Sequence, residues 1–301
     1  LKPFRLESSR PRFQRFQHIM MWCCGPCGRE DDSDAEDANN NRLLATRNPR
    51  ELRRRIAKEN SQLELSLPLA QTVLVTPQDL RMRAMPSLRS QRCRVSFSSM
   101  TTADALLSFA RAGKQVSCLN FANGSRVGGG YTTGAAAQEE DLCRRAPNLY
   151  SSLLKADAAG NYPFGPAAND ARKYANVLFS SNVVIARDSE SRGFQVLPST
   201  QQATVSVVSA AAPNLRFARE TVDGVLLDNA VASIFLAPVL YQRGIQVLVL
   251  GAWGCGAFGG DPKFMASLFG KHLGAGGLGS LYEEVHFAIP SFSEESSKNA
   301  R

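Results

Sequence analysis

The stretch Asn120-Phe121-Ala122-Asn123-Gly124-Ser125-Arg126-Val127-Gly128-Gly129-Gly130, closed by Gln138-Glu139-Glu140, decides how this chain is read. Residues 116–121 form an apolar run of strand type, a triple-glycine loop follows, and adjacent carboxylates stand at what reads as a helix start. Glycines let a backbone come close to a ligand, and amides ahead of a helix attract phosphate. Neighbouring carboxyls supply the acid and base that breaking a glycosidic bond requires. The combination points to hydrolysis of a phosphorylated sugar compound.

Outward from this stretch the pattern is α/β. Residues 103–112 read as a helix closed by Gly113, and 134–154 as a helix interrupted near Pro147. Residues 183–186, 205–209 and 245–250 read as buried strands, and 285–289 as the last one. A long helical pattern covers 216–242 and ends at Gly244; another covers 262–273, with Pro262 suited to its first turn. Upstream, 49–65 is an amphipathic helix carrying Leu52, Ile56 and Leu63, and 72–75 is the best strand before residue 100. Strands alternating with helices predict an α/β fold with a mixed sheet sandwiched by helices. The expected organisation is a disordered tail over 1–48, one domain over 49–292 and a flexible C-terminus over 293–301.

Composition narrows the class. The 301 residues carry a formal charge of +8 and are 44% hydrophobic, enough for a sizeable core. Residues 1–100 hold 18 Lys/Arg against 11 Asp/Glu, a net of +7, and the remainder 17 against 16, a net of +1. The basicity thus belongs to the N-terminal third, as a solvated tail that a polyanion would also attract. No apolar run reaches a membrane span; the longest, around 229–240, reads as a buried helix. Seven cysteines, an odd and scattered set, predict a reducing intracellular compartment, cytoplasmic or nuclear. Cys23, Cys24 and Cys27 have no further ligands nearby to complete a zinc site. Were translation to begin at Met20 or Met21, Cys23 and Cys24 would suit S-acylation and a membrane tether; an unmodified tail is the simpler expectation.

Gly128-Gly129-Gly130, seven residues, then Gln138-Glu139-Glu140 resembles the signature of poly(ADP-ribose) glycohydrolases. Asn120-Phe121-Ala122-Asn123 before it and Leu142-Cys143-Arg144 after it make the chain most similar to the microbial-type branch of that family. The resemblance extends to residues 205–214 and 250–258 and covers roughly 60–292. It implies a macrodomain-like fold and cleavage of the ribose–ribose bonds of poly(ADP-ribose). It also implies that Glu140 is the catalytic acid, that Glu139 holds ribose hydroxyls, and that Gly128, Gly129 and Gly130 face the diphosphate. Asn120, Asn123 and Gln138 would be hydroxyl and backbone partners in the pocket. Gly254, Cys255, Gly256, Ala257 and Phe258 would form a second phosphate loop, with Phe258 against the terminal ribose. The vertebrate branch has Asp where Asn120 stands here.

Rival readings exist. Gly254-Cys255-Gly256-Ala257-Phe258-Gly259 also spells the dinucleotide fingerprint, but the following strand ends in Pro290-Ser291-Phe292-Ser293 without the acid that fingerprint needs. A macrodomain that binds ADP-ribose without cutting it has no need of Gln138 and the Glu pair. A hydrolase of mono-ADP-ribosylated substrates stays open. Only His18, His272 and His286 occur, none near the glutamates in sequence, so no Ser/His or Cys/His nucleophile pair is expected. Cys118 and Cys143 read as core, Arg144 and Arg145 as helix surface, and His272 as a surface residue at a helix end. No metal site and no cofactor are expected. The expected partner is poly(ADP-ribose) or an ADP-ribosylated protein, with no sequence-specific nucleic acid, and the chain is expected to be a monomer.

Overall fold

Seven strands build one sheet: β1 (Gln71–Val75), β2 (Arg94–Ser98), β3 (Val116–Ala122), β4 (Val177–Ile185), β5 (Ala203–Ala211), β6 (Val247–Leu250) and β7 (Glu284–Ala288). Their order is β1-β4-β5-β3-β6-β7-β2. The two pairs at the β1 end are antiparallel, and β5, β3, β6, β7 and β2 run parallel. The structure is a computed structural model that describes residues 48–86, 93–216 and 223–290. The readings made for 1–47, for 217–222 and for the C-terminus from 291 lie outside the described residues.

Helices cover both faces, as the alternating pattern predicts. Along β3 the side chains divide with period two. Cys118 joins a cluster with Leu106, Leu142, Leu149 and Leu153, from helices α3 (Thr102–Arg111), α4 (Gln138–Arg145) and α5 (Pro147–Ala158). Leu119 points the other way, toward Leu227, Val231, Ile234 and Phe269 of α6 (Gly224–Tyr241) and α7 (Pro262–Leu273). The apolar helix α6 is long enough to cross a membrane, but Leu227, Ala230, Val231, Ile234 and Phe235 are buried in the core. Helix α1 (Pro49–Leu63) is capped by Asn48, whose Oδ1 accepts the Glu51 N–H, and buries Leu52 and Ile56. A short helix α2 (Pro77–Met82) follows β1.

Several boundaries differ from the sequence reading for local reasons. The helix expected from residue 134 begins at Gln138, because Gly134 closes a short 3-10 turn over Tyr131–Thr133 in the left-handed region, φ 83°. It stops at Arg145, since Pro147 keeps Ala146 out of the helical region, at ψ 82°. Three acids then occupy the first turn of α4 and two arginines its last, a favourable arrangement for the helix dipole. Strands β4 and β5 are longer than their apolar cores suggested, and β2 was not singled out at all.

Candidate active site

Parallel strands send their connections out at one edge of the sheet, where α/β folds bind ligands. From β3 the chain reaches β4 and β5 on one side, then crosses to β6 on the other, so the loops after β3, β5 and β6 adjoin. Trp253, fully buried, donates its indole N–H to the Ala210 carbonyl at 2.9 Å and so fastens the β6 loop to the end of β5. Leu215 donates its N–H to the Phe258 carbonyl at 2.7 Å, joining the same two loops further out.

Helix α4 presents the three expected residues to this edge, each in a different way. Gln138 is a brace: Oε1 accepts the Phe121 N–H at 2.8 Å, and Nε2 donates to the Leu119 carbonyl at 2.9 Å and to Thr102 Oγ1 at 3.1 Å. Its amide thereby stitches β3 to α4 and to the start of α3. Glu139, 3% exposed, has both oxygens engaged. Oε2 accepts the Asn123 N–H at 2.9 Å, and Oε1 lies 3.5 Å from the Asn120 amide. Glu140, 7% exposed, is held at one end only: Oε1 accepts the Gly130 N–H at 2.7 Å, while Oε2 is buried without a partner.

Burial pushes the Glu139 carboxyl up to about 8; the Asn123 N–H opposes the shift and the Glu140 carboxyl adds to it. Asn120, fully buried, donates to Ser209 Oγ at 3.0 Å and leaves Oδ1 unpartnered. Asn123 Oδ1 accepts the N–H groups of Ser125 and Arg126 at 3.0 Å, which folds the start of the loop into an Asx turn.

The triple-glycine loop turns inward. Gly130 donates to Glu140, and the Gly129 N–H goes to the Arg126 carbonyl at 3.1 Å. Two of the three amides are therefore used within the loop and on Glu140, where the sequence reading had them facing a diphosphate. Gly129 has φ 54°, and a Cβ there would stand 2.6 Å from Glu140 Oε1 and 3.1 Å from Glu139 Oε2. The loop needs glycine because the carboxylates lie directly against its backbone. The second loop is the open one. The amides of Gly256, Ala257 and Phe258 have no protein partner among the described residues, and a Cβ at Gly256 would meet nothing within 4 Å. Cys255 is buried, Gly254 adopts φ 76°, Gly256 and Ala257 are exposed, and Phe258 is half-buried against the core.

A support layer went unread in the sequence. Arg144 and Arg145, expected on the surface, are 1% and 0% exposed. Arg144 donates to the Tyr131 carbonyl at 3.1 Å, and Arg145 pairs with Asp104 at 2.7 Å and donates to the Arg187 carbonyl. Asn60 of α1 reaches the same region through Tyr131, Arg144 and Arg187. The reason for the error is physical: α4 is polar on the faces that bury, so its pattern reads as solvated. His272 is likewise not a surface residue; its Nε2 meets Asp228 at 3.0 Å with the side chain 11% exposed. The fold also forms a Ser–His contact that the sequence did not predict. His286 lies between Ser96 Oγ at 2.7 Å and Ser98 Oγ at 2.8 Å on the β2–β7 pair, at the edge of the sheet beyond β6. Among the described residues no group of three or more His, Cys, Asp or Glu could hold a metal ion.

The model of the catalytic domain of microbial-type PARG matches residues 50–188. No curated protein matches. Among solved structures, poly(ADP-ribose) glycohydrolase from Thermomonospora curvata is 29% identical, with a TM-score of 0.69, covering 83% of this chain and 97% of its own. The same enzyme bound to the inhibitor ADP-HPD is 28% identical at a TM-score of 0.68, with the same coverage. Poly(ADP-ribose) glycohydrolase from Deinococcus radiodurans in complex with ADP-ribose is 30% identical at a TM-score of 0.61, covering 74% of this chain and 89% of its own.

Proposed function

We propose that this chain, which belongs to the microbial-type poly(ADP-ribose) glycohydrolase family, hydrolyses the ribose–ribose O-glycosidic bonds of poly(ADP-ribose) with Glu140 as the reacting carboxyl. The observation that carries this assignment is the asymmetry of Glu140: one oxygen is fixed by the Gly130 N–H and the other is buried and unpartnered. A carboxyl so held has its orientation set from behind and one oxygen left for substrate.

The mechanism follows from the pair. Two carboxyls in one buried site favour retention of a proton, and Glu139 is pushed up to about 8, chiefly by burial. Glu140 Oε2 delivers a proton to the leaving ribose oxygen as the bond to the anomeric carbon breaks. The oxocarbenium-like transition state gathers positive charge near both carboxyls. The same oxygen then accepts a proton from the water that adds to the anomeric carbon, which restores the starting state. Glu139, aimed by the Asn123 N–H, is placed to accept hydrogen bonds from ribose hydroxyls. Asn120 Oδ1 is a further unsatisfied acceptor beside it. The free amides of Gly256, Ala257 and Phe258 suit the diphosphate, and the Phe258 ring suits the terminal ribose. These steps use the chain's own carboxyls and amides.

The test is incubation of labelled poly(ADP-ribose) with wild type and Glu140→Ala side by side, followed by product sizing. Release of ADP-ribose by wild type alone supports the reading. An inert wild type that still binds ADP-ribose would instead make this a binding domain.

A further inference from the structure

We infer that Asn60, on the N-terminal helix, is a positioning residue for Glu140: it locks Tyr131, and through Tyr131 it fixes the Gly130 N–H that holds the reacting carboxyl. The inference rests on the assignment of Glu140 made above.

Asn60 is 2% exposed and uses its whole side chain. Nδ2 donates to the Tyr131 hydroxyl at 3.1 Å and to the Arg144 carbonyl at 2.9 Å, and Oδ1 accepts from Arg187 Nε at 2.7 Å. One amide thus joins four segments: α1, the turn after the glycine loop, the end of α4 and the chain beyond β4. Tyr131 follows Gly130 directly, and its N–H to the Gly128 carbonyl closes a turn whose central peptide, Gly129–Gly130, bears the Gly130 N–H; fixing Tyr131 therefore fixes that turn. Tyr131 is held at further points, its hydroxyl also donating to the Ala57 carbonyl of α1 at 3.5 Å. Its N–H goes to the Gly128 carbonyl at 2.9 Å, its carbonyl accepts from Arg144, and its ring packs on Tyr150 at 4.4 Å between centroids. Helix α1 grips the same turn a second time, since Arg50 Nε and Arg54 Nε both donate to the Thr133 carbonyl, at 3.1 and 3.2 Å.

Asn60 touches neither glutamate and is too buried to meet a polymer, so its influence on chemistry passes through what it holds, the Tyr131 turn and the end of α4. A packing role would lower stability and leave turnover per folded molecule unchanged. A positioning role lowers kcat while substrate binding stays intact. Asparagine fits the role because one short side chain supplies both a two-directional donor and an acceptor, and no apolar residue can replace it.

The experiment compares Asn60→Ala, Tyr131→Phe and the double variant on poly(ADP-ribose), with the Gly130 amide resonance followed by NMR in substrate-free protein. Asn60→Ala is expected to lose about 10–100-fold in kcat, the range that a misplacement of up to 1 Å produces. Tyr131→Phe loses less, and the double variant is no worse than Asn60→Ala, because both changes break one route. KM stays within about threefold. The Gly130 amide proton moves upfield in both single variants as its bond to Glu140 loosens. Should Asn60→Ala not fold, Tyr131→Phe, which removes one oxygen and keeps the ring, decides the matter. Wild-type kcat and an unmoved Gly130 resonance in folded Tyr131→Phe overturn the inference, while loss of turnover in Glu140→Gln leaves the site assignment standing. A wild type without turnover on the polymer overturns both.

Discussion

The backbone N–H of Gly130 meets Glu140 Oε1 at 2.7 Å, and this single bond separates the two oxygens of the carboxyl into one that is anchored and one that is buried without a partner. Glu140→Gln keeps an acceptor for Gly130 and removes only the titratable proton. Turnover of poly(ADP-ribose) is expected to fall by about 10²–10⁴-fold, the usual size of general acid/base help. Affinity for ADP-ribose by calorimetry is expected to hold. Near wild-type turnover in this variant would sink the assignment.

The two glycine loops predict opposite failures. At Gly129 an added Cβ collides with both carboxyls, at 2.6 and 3.1 Å, in a backbone conformation that L residues rarely adopt. Gly129→Ala is expected to lose most of its turnover by displacing Glu140. At Gly256 an added Cβ meets open space. Gly256→Val is expected to keep its stability within about 0.5 kcal/mol of wild type. It is expected to weaken ADP-ribose binding by at least about tenfold, since its side chain occupies the ligand's space. Unchanged calorimetric affinity in folded Gly256→Val would remove the second loop from the ligand site.

What the sequence disclosed follows a physical line. The order of strands and helices, Gln138 with its two acids, and the existence of both loops were legible because each is a local pattern. The direction of the first loop was not. Whether an amide faces a ligand or a side chain ten residues on depends on packing, as with Gly130 and Glu140. Nor was Asn60, whose partners lie 71, 84 and 127 residues away. Arg145 misled for a different reason. Amphipathic logic assumes that charge seeks water, and it fails on a helix whose buried charged groups are met by backbone groups and one ion pair.

Arg145 therefore offers a direct test of that support layer. Its guanidinium is fully buried and donates to Thr101 Oγ1 and the Arg187 carbonyl besides pairing with Asp104. Removing one member of a buried pair costs about 3–5 kcal/mol, and Asp104 is one-third exposed, so water offsets part of it. Arg145→Leu is expected to lose about 2–3 kcal/mol in urea unfolding at pH 7. A loss within about 0.5 kcal/mol, the range of surface substitutions, would restore the surface reading of this residue.

Glu139 makes stability depend on pH in a stated direction. Its carboxyl ionises near 4.5 without burial and is pushed up to about 8 in the fold, so between these values the native state holds a proton that the unfolded chain has released. Stability is thus greatest, on account of this group, below 4.5, and it drains away as pH rises through 8. A tenfold difference in proton affinity between the folded and unfolded chain is worth about 1.4 kcal/mol, which puts the full effect on the order of a few kcal/mol. Glu139→Gln retains an acceptor for the Asn123 N–H and cannot ionise. Thermal melts are expected to show it more stable than wild type at about pH 9, with the difference gone by about pH 4. If the gap between Glu139→Gln and wild type were constant from about pH 4 to about pH 9, Glu139 would not carry a raised affinity for protons.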